Sequence, residues 1–199
     1  MGAVAAAVAC CGGGFVCECV RSVSEGEEKM GRSWSGMRKV LEQENICHSL
    51  KGRIQYFVTR YTESHDEECR VAIRLDGKEI LKSSFFDWAK KRVDVVESNV
   101  VIKEHYMSYW DYWDKIHLET SNHAGLTRHC FYNAFHEYHN QSIEKSLASP
   151  DPIVKLFAIM DKRVGKRRLQ NMFTKIQTQP EWLQVFFRLR LEADGVITT

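Results

Sequence analysis

The chain lacks a disulfide framework. Its seven cysteines are an odd number, and four of them, Cys10, Cys11, Cys17 and Cys19, crowd the first nineteen residues. Cys47, Cys69 and Cys130 stand alone in the body, as buried thiols do in a reducing compartment. Charge of one sign is also scarce: the formal net charge is +2, far below what a nucleic-acid coat or a polybasic membrane binder carries. No long hydrophobic run is present. The opening MGAVAAAVACCGGGFVCECV has no Lys or Arg ahead of its apolar stretch and is interrupted by three glycines, which argues against a signal peptide. A membrane span needs about 20 strongly apolar residues, whereas Ala, Gly and Cys supply little transfer energy. Ala6 stands where myristoylation after Gly2 favours Ser or Thr. The CC and CEC clusters lack the C-x-x-C spacing of a closed zinc site. Catalytic signatures are missing too: there is no G-x-S-x-G, no P-loop and no dinucleotide fingerprint. A cytoplasmic chain with no membrane partner and no cofactor is expected. Residues 1–29 read as a disordered leader, or as sequence upstream of a natural start at Met30.

What is present is a patterned body, and 44% hydrophobic residues with 11% aromatics are enough to fill one core. Trp34, Met37, Val40 and Leu41 follow a helical spacing. Ile54 to Tyr61 and Cys69 to Leu75 are rich in β-branched and aromatic residues around the polar run TESHDEE, which predicts two antiparallel strands. Asp76-Gly77 is a strong two-residue hairpin signal, so Lys78 to Lys82 returns as a third strand. From Ser83 the period becomes helical, with helices predicted over 84–97, 103–118, 125–147, Pro152 to about Lys175, and Glu181 to Ala193. Gly165 is a point at which the fourth of these kinks or ends. The fold expected is α+β: an N-terminal helix, a three-stranded antiparallel β-meander, then a helical C-terminal half. Residues 30–175 form the single domain and 176–199 an apolar helix and tail. That last helix, with Trp182, Leu183, Val185, Phe186, Phe187, Leu189 and Leu191, must cap the domain or form an oligomer or partner interface.

Candidate chemistry is sparse. His129, His136 and His139 lie on the 125–147 helix, and HEYH sets two imidazoles three residues apart. His129, Asn133, His136 and Asn140 fall opposite the Phe131 and Phe135 stripe, however, as a solvated face does. Asp111 and Asp114 are an i, i+3 carboxylate pair, the minimum for acid–base work, yet they alternate with aromatics as surface charges do. The sharpest feature is MDKRVGKRRL at 160–169. Continued as one helix, it sets Lys155, Lys162 and Lys166 on a stripe with Arg163, Arg167 and Arg168 beside it, a basic face able to contact phosphates. Its arginines also have the option of pairing with acids such as Asp87, Asp111 or Asp114.

The stretches LKGRIQYFVTRY (50–61), DGKEI (76–80) and SIEKSLASPDPIVKLFAIMDKRVGKRRL (142–169), with WSGMRKVL (34–41) ahead of them, resemble a family of short uncharacterised bacterial proteins. The likeness covers most of residues 34–169. It implies the domain and, since that family has no established activity, no catalytic residue. The expectation is a non-enzymatic binding protein that contacts a protein or nucleic-acid partner through the basic helix, with a homo-oligomer through the Trp182 helix as a further possibility. The alternative is a metal- or carboxylate-dependent enzyme using Asp111, Asp114 or the histidine face.

Overall fold

The first described element follows from a cap and a stripe. In the computed structural model, which describes residues 33–60, 69–98 and 109–197, the Ser33 hydroxyl accepts the Gly36 N–H at 3.3 Å and starts α1 (Trp34–Lys39). A π-helical turn, Val40–Glu44, continues it, and Met37, Val40 and Leu41 are buried along one side. After a 3-10 turn at His48–Leu50 come β1 (Ile54–Arg60), β2 (Cys69–Leu75) and β3 (Lys78–Ser84). They form the expected antiparallel meander in the order β1-β2-β3. Asp76 and Gly77 both have positive φ, 50° and 80°, the type I′ turn whose twist suits a two-residue hairpin. Tyr56, Ile73 and Leu81 lie side by side across the strands and are buried. The loop expected at TESHDEE lies outside the described residues.

The helical half comprises α2 (Phe85–Ser98), α3 (Tyr109–Asn122), α4 (Arg128–Asn140), α5 (Ile143–Ala148), α6 (Pro152–Met160), α7 (Lys166–Ile176) and α8 (Glu181–Ala193). At its centre is α6, where every residue except Lys155 is buried, as an all-apolar helix requires. The Phe157 ring meets Tyr56, Phe131 and Tyr138 at centroid distances of 5.6, 5.9 and 5.8 Å. One core therefore joins the sheet, α4 and α6. On α8, Leu183, Phe186, Phe187 and Leu191 are buried within the same chain, and the Trp182 indole donates to the Ser121 carbonyl at 3.0 Å. Among the described residues no helix is long and apolar enough to cross a membrane.

Two helices expected to be continuous are divided. The 125–147 pattern stops at Asn140, because Gln141 is extended and the Ser142 hydroxyl accepts the Lys145 N–H at 3.3 Å to open α5. The pattern from Pro152 breaks at Asp161, whose φ of −71° and ψ of 137° are extended. Residues 161–165 form a strap, and α7 starts only at Lys166. Lys155, Lys162 and Lys166 consequently share no helical stripe. The helix predicted from residue 103 is described from Tyr109 onward.

Candidate functional site

The strap exists because Asp161 has stronger partners outside a helix than in one. Its side chain is fully buried. Oδ1 accepts the Arg163 backbone N–H at 2.7 Å, and Oδ2 accepts Arg163 Nε and Nη2 at 2.9 and 2.6 Å. The Tyr138 hydroxyl donates to the same Oδ2 while accepting from Asn45 Nδ2 at 3.0 Å. Burial, then the bond to Asp161, pushes the Tyr138 hydroxyl pKa well above the usual phenol range. The Asp161 bond likewise holds the Arg163 guanidinium above its ordinary value. Main-chain bonds finish the fastening: Cys47 N–H to Met160 O at 2.9 Å and Lys162 N–H to Asn45 O at 2.7 Å, which make an antiparallel bridge between Ile46 and Asp161.

A second grip comes from α8. Arg190, only 3% exposed, donates Nη2 to the Val164 carbonyl at 2.9 Å and pairs with Asp194 at 3.2 Å. Ser49 Oγ donates to the same carboxylate at 2.6 Å. Burial lowers the Arg190 pKa, against the raising effect of Asp194. Its Nε and Nη1 have no hydrogen-bond partner among the described residues, so the ordering of Val164 is bought with two buried unsatisfied donor atoms.

This fastening decides what the basic residues present. Arg163 is half-exposed yet committed to Asp161, a partner two residues away rather than Asp87, Asp111 or Asp114. Lys155, half-buried on α6, donates its ammonium to Gln179 Oε1 at 2.5 Å, and burial lowers its pKa. Lys162 reaches the Glu44 carbonyl. Arg168 pairs with Glu144 at 3.0 Å, both exposed, a contact worth little. Lys166 and Arg167 are exposed and have no ion-pair partner among the described residues. The first turn of α7 contains no acid and its N-cap, Gly165, supplies no side-chain hydrogen bond. Cations at that end oppose the helix dipole by about 0.3–1 kcal/mol each, an arrangement that an incoming anion reverses.

The other candidates are dispersed. His129 bonds Asn133 at 3.0 Å and His136 bonds Asn140 at 3.1 Å along α4, while His139 stacks on Phe135. Asp111 and Asp114 are exposed on α3. Among the described residues no three His, Cys, Asp or Glu side chains converge as metal ligands do. Asn45, Tyr138 and Arg190 carry no local sequence signal of these roles, which depend on partners 93 residues away for Asn45 and Tyr138 and 26 for Arg190. Only the Asp-x-Arg spacing at 161–163 signals the local pair.

A family model described as the SF0329 protein family matches residues 33–191, which takes in α8 as far as Leu191 as well as the VGKRRL segment. No curated protein and no solved structure matches the chain.

Proposed function

We propose, from the premise that the chain belongs to the SF0329 protein family and from the fastened basic segment, that it is a cytoplasmic, non-enzymatic binding protein for nucleic acid. The observation that supports this reading most is the acid-free exposed turn formed by Lys166, Arg167 and Arg168, joined through the strap to Lys162. Cations held on rigid backbone neutralise phosphates and release counterions, with little ordering cost at the moment of contact. A cytoplasmic setting is supported by the free thiols of Cys47 and Cys69, both buried. Arg163 serves as the structural member of the set and Lys155 stands apart from it.

The test is binding of the full chain to a fluorescent nucleic acid across a salt series. Four phosphate contacts give a slope of log K against log salt of about −3 to −4. Reversal of Lys162, Lys166, Arg167 and Arg168 to Glu is expected to abolish binding. Absent or salt-insensitive binding would end the reading.

A further inference from the structure

Helical geometry sorts the side chains of α7 into three zones. Leu169 and Ile176 are its buried residues, with Met172 half-buried between them. At 100° per residue these three cover one side, and the side opposite is centred on Arg167 and Thr174, with Gln170 and Asn171 on either side of that line. All four are exposed and stand at i, i+3, i+4 and i+7. Arg168 and Lys175 flank the stripe on one edge and Lys166 with Phe173 on the other, all exposed. No Asp or Glu occurs anywhere on the helix.

We propose that α7 reads double-stranded DNA, with Arg167, Gln170, Asn171 and Thr174 set against base edges in the major groove and Lys166, Arg168 and Lys175 on the phosphates beside it. The proposal rests on the nucleic-acid reading above and adds the kind of nucleic acid and the means of discrimination. Charge complementarity selects the occupant: four exposed cations lie on an eleven-residue helix that carries no acid of its own, and the pairing of Arg168 with the exposed Glu144 is weak enough for a phosphate to replace. The stripe then supplies what a phosphate-only binder does not need. Arg matches the guanine O6/N7 edge and Asn or Gln the adenine N6/N7 edge by paired hydrogen bonds, while a Thr methyl meets the thymine methyl. A helix about 10–12 Å across fits a B-form major groove about 12 Å wide. The deep, narrow major groove of A-form RNA does not admit it. Anchorage at the strap and at Leu169 and Ile176 fixes the register of the stripe, as base reading requires.

The experiment selects full-length protein on a randomised DNA duplex pool and compares the enriched sequence with its shuffled duplex and with an RNA duplex of the same sequence. The expected result is a preference in which each altered base pair of the site lowers affinity about 5- to 150-fold, with weaker binding of the RNA duplex. The double substitution Gln170→Ala, Asn171→Ala, confirmed folded by its melting profile, should bring the ratio of enriched to shuffled affinity towards one. Equal affinity for every duplex, equal binding of the RNA duplex, or an undiminished ratio in the double variant would each overturn base reading while leaving phosphate binding intact. No binding of any nucleic acid at low salt would overturn both.

Discussion

Asp151 is one carboxyl whose surroundings make a definite contribution to the pH response of this fold. It caps α6, accepting the Ile153 N–H at 2.7 Å. Burial first, and the nearby Glu137 with it, raise its pKa to about 6, against the lowering effect of the Ile153 N–H. A folded-state value above the unfolded one near 3.8 means that the protonated form is the stabilised one. That contribution is complete below about pH 4 and is lost as pH rises through 6. The ionised carboxylate then costs up to about 3 kcal/mol. Asn keeps a capping oxygen without the charge. Asp151→Asn should therefore melt higher than the parent at pH 8, with the gap closing at pH 4, as denaturation at the two values will report. Gly125 is set by space instead. An added Cβ would lie 2.6 Å from Thr120 Cγ2 and 2.9 Å from the Thr120 carbonyl oxygen, which itself accepts the Gly125 N–H at 2.9 Å. Gly125→Ala is expected to cost about 1–3 kcal/mol in urea denaturation.

Among the elements, the strap is the least autonomous. It has no regular hydrogen-bond ladder of its own and depends on Tyr138 from α4, Asn45 from the end of the π turn and Arg190 from α8. Tyr138→Phe removes a donor to a buried carboxylate and should destabilise the chain by about 1–3 kcal/mol. Asp161→Ala strands the Arg163 fork and the Tyr138 hydroxyl together, and its loss should be larger, about 3–5 kcal/mol. Both are measured by equilibrium denaturation. If α7 presents its basic face through this anchorage, amide hydrogen exchange in residues 166–169 should quicken in the Tyr138→Phe protein. The helix breaks have the same origin. The apolar period from Pro152 onward suits one long helix, and it is the burial of a charged side chain at Asp161 that ends it.

At the scale of the whole molecule, α8 completes the core. The described residues cluster as one unit, and burying Leu183, Phe186, Phe187 and Leu191 contributes about 1.5–3 kcal/mol for each side chain. Their sum approaches the whole stability of an ordinary domain, about 5–15 kcal/mol. A chain ending at residue 176 should then lose its cooperative melting transition. Val185→Lys, at a position 49% exposed on the same helix, should retain it. A truncated chain that melts like the parent would show that α8 is dispensable to the core.

The sequence by itself determined the elements whose signals are local. The β-branched and aromatic residues of 54–61 and 69–75 set the sheet, Asp76-Gly77 set its tight turn, and the run MDKRVGKRRL marked a basic segment, though not the single helix expected for it. These depend on side-chain period and backbone sterics, which act over a few residues. Only the tertiary structure decided that Arg163 is tied down while Arg167 is open, and that Lys155 lies on α6, Lys162 in the strap and Lys166 on α7. The deciding contacts to Asp161 and Val164 come from Tyr138, Asn45 and Arg190. A buried charge takes its hydrogen bonds wherever the fold supplies them, and no local pattern records where that is.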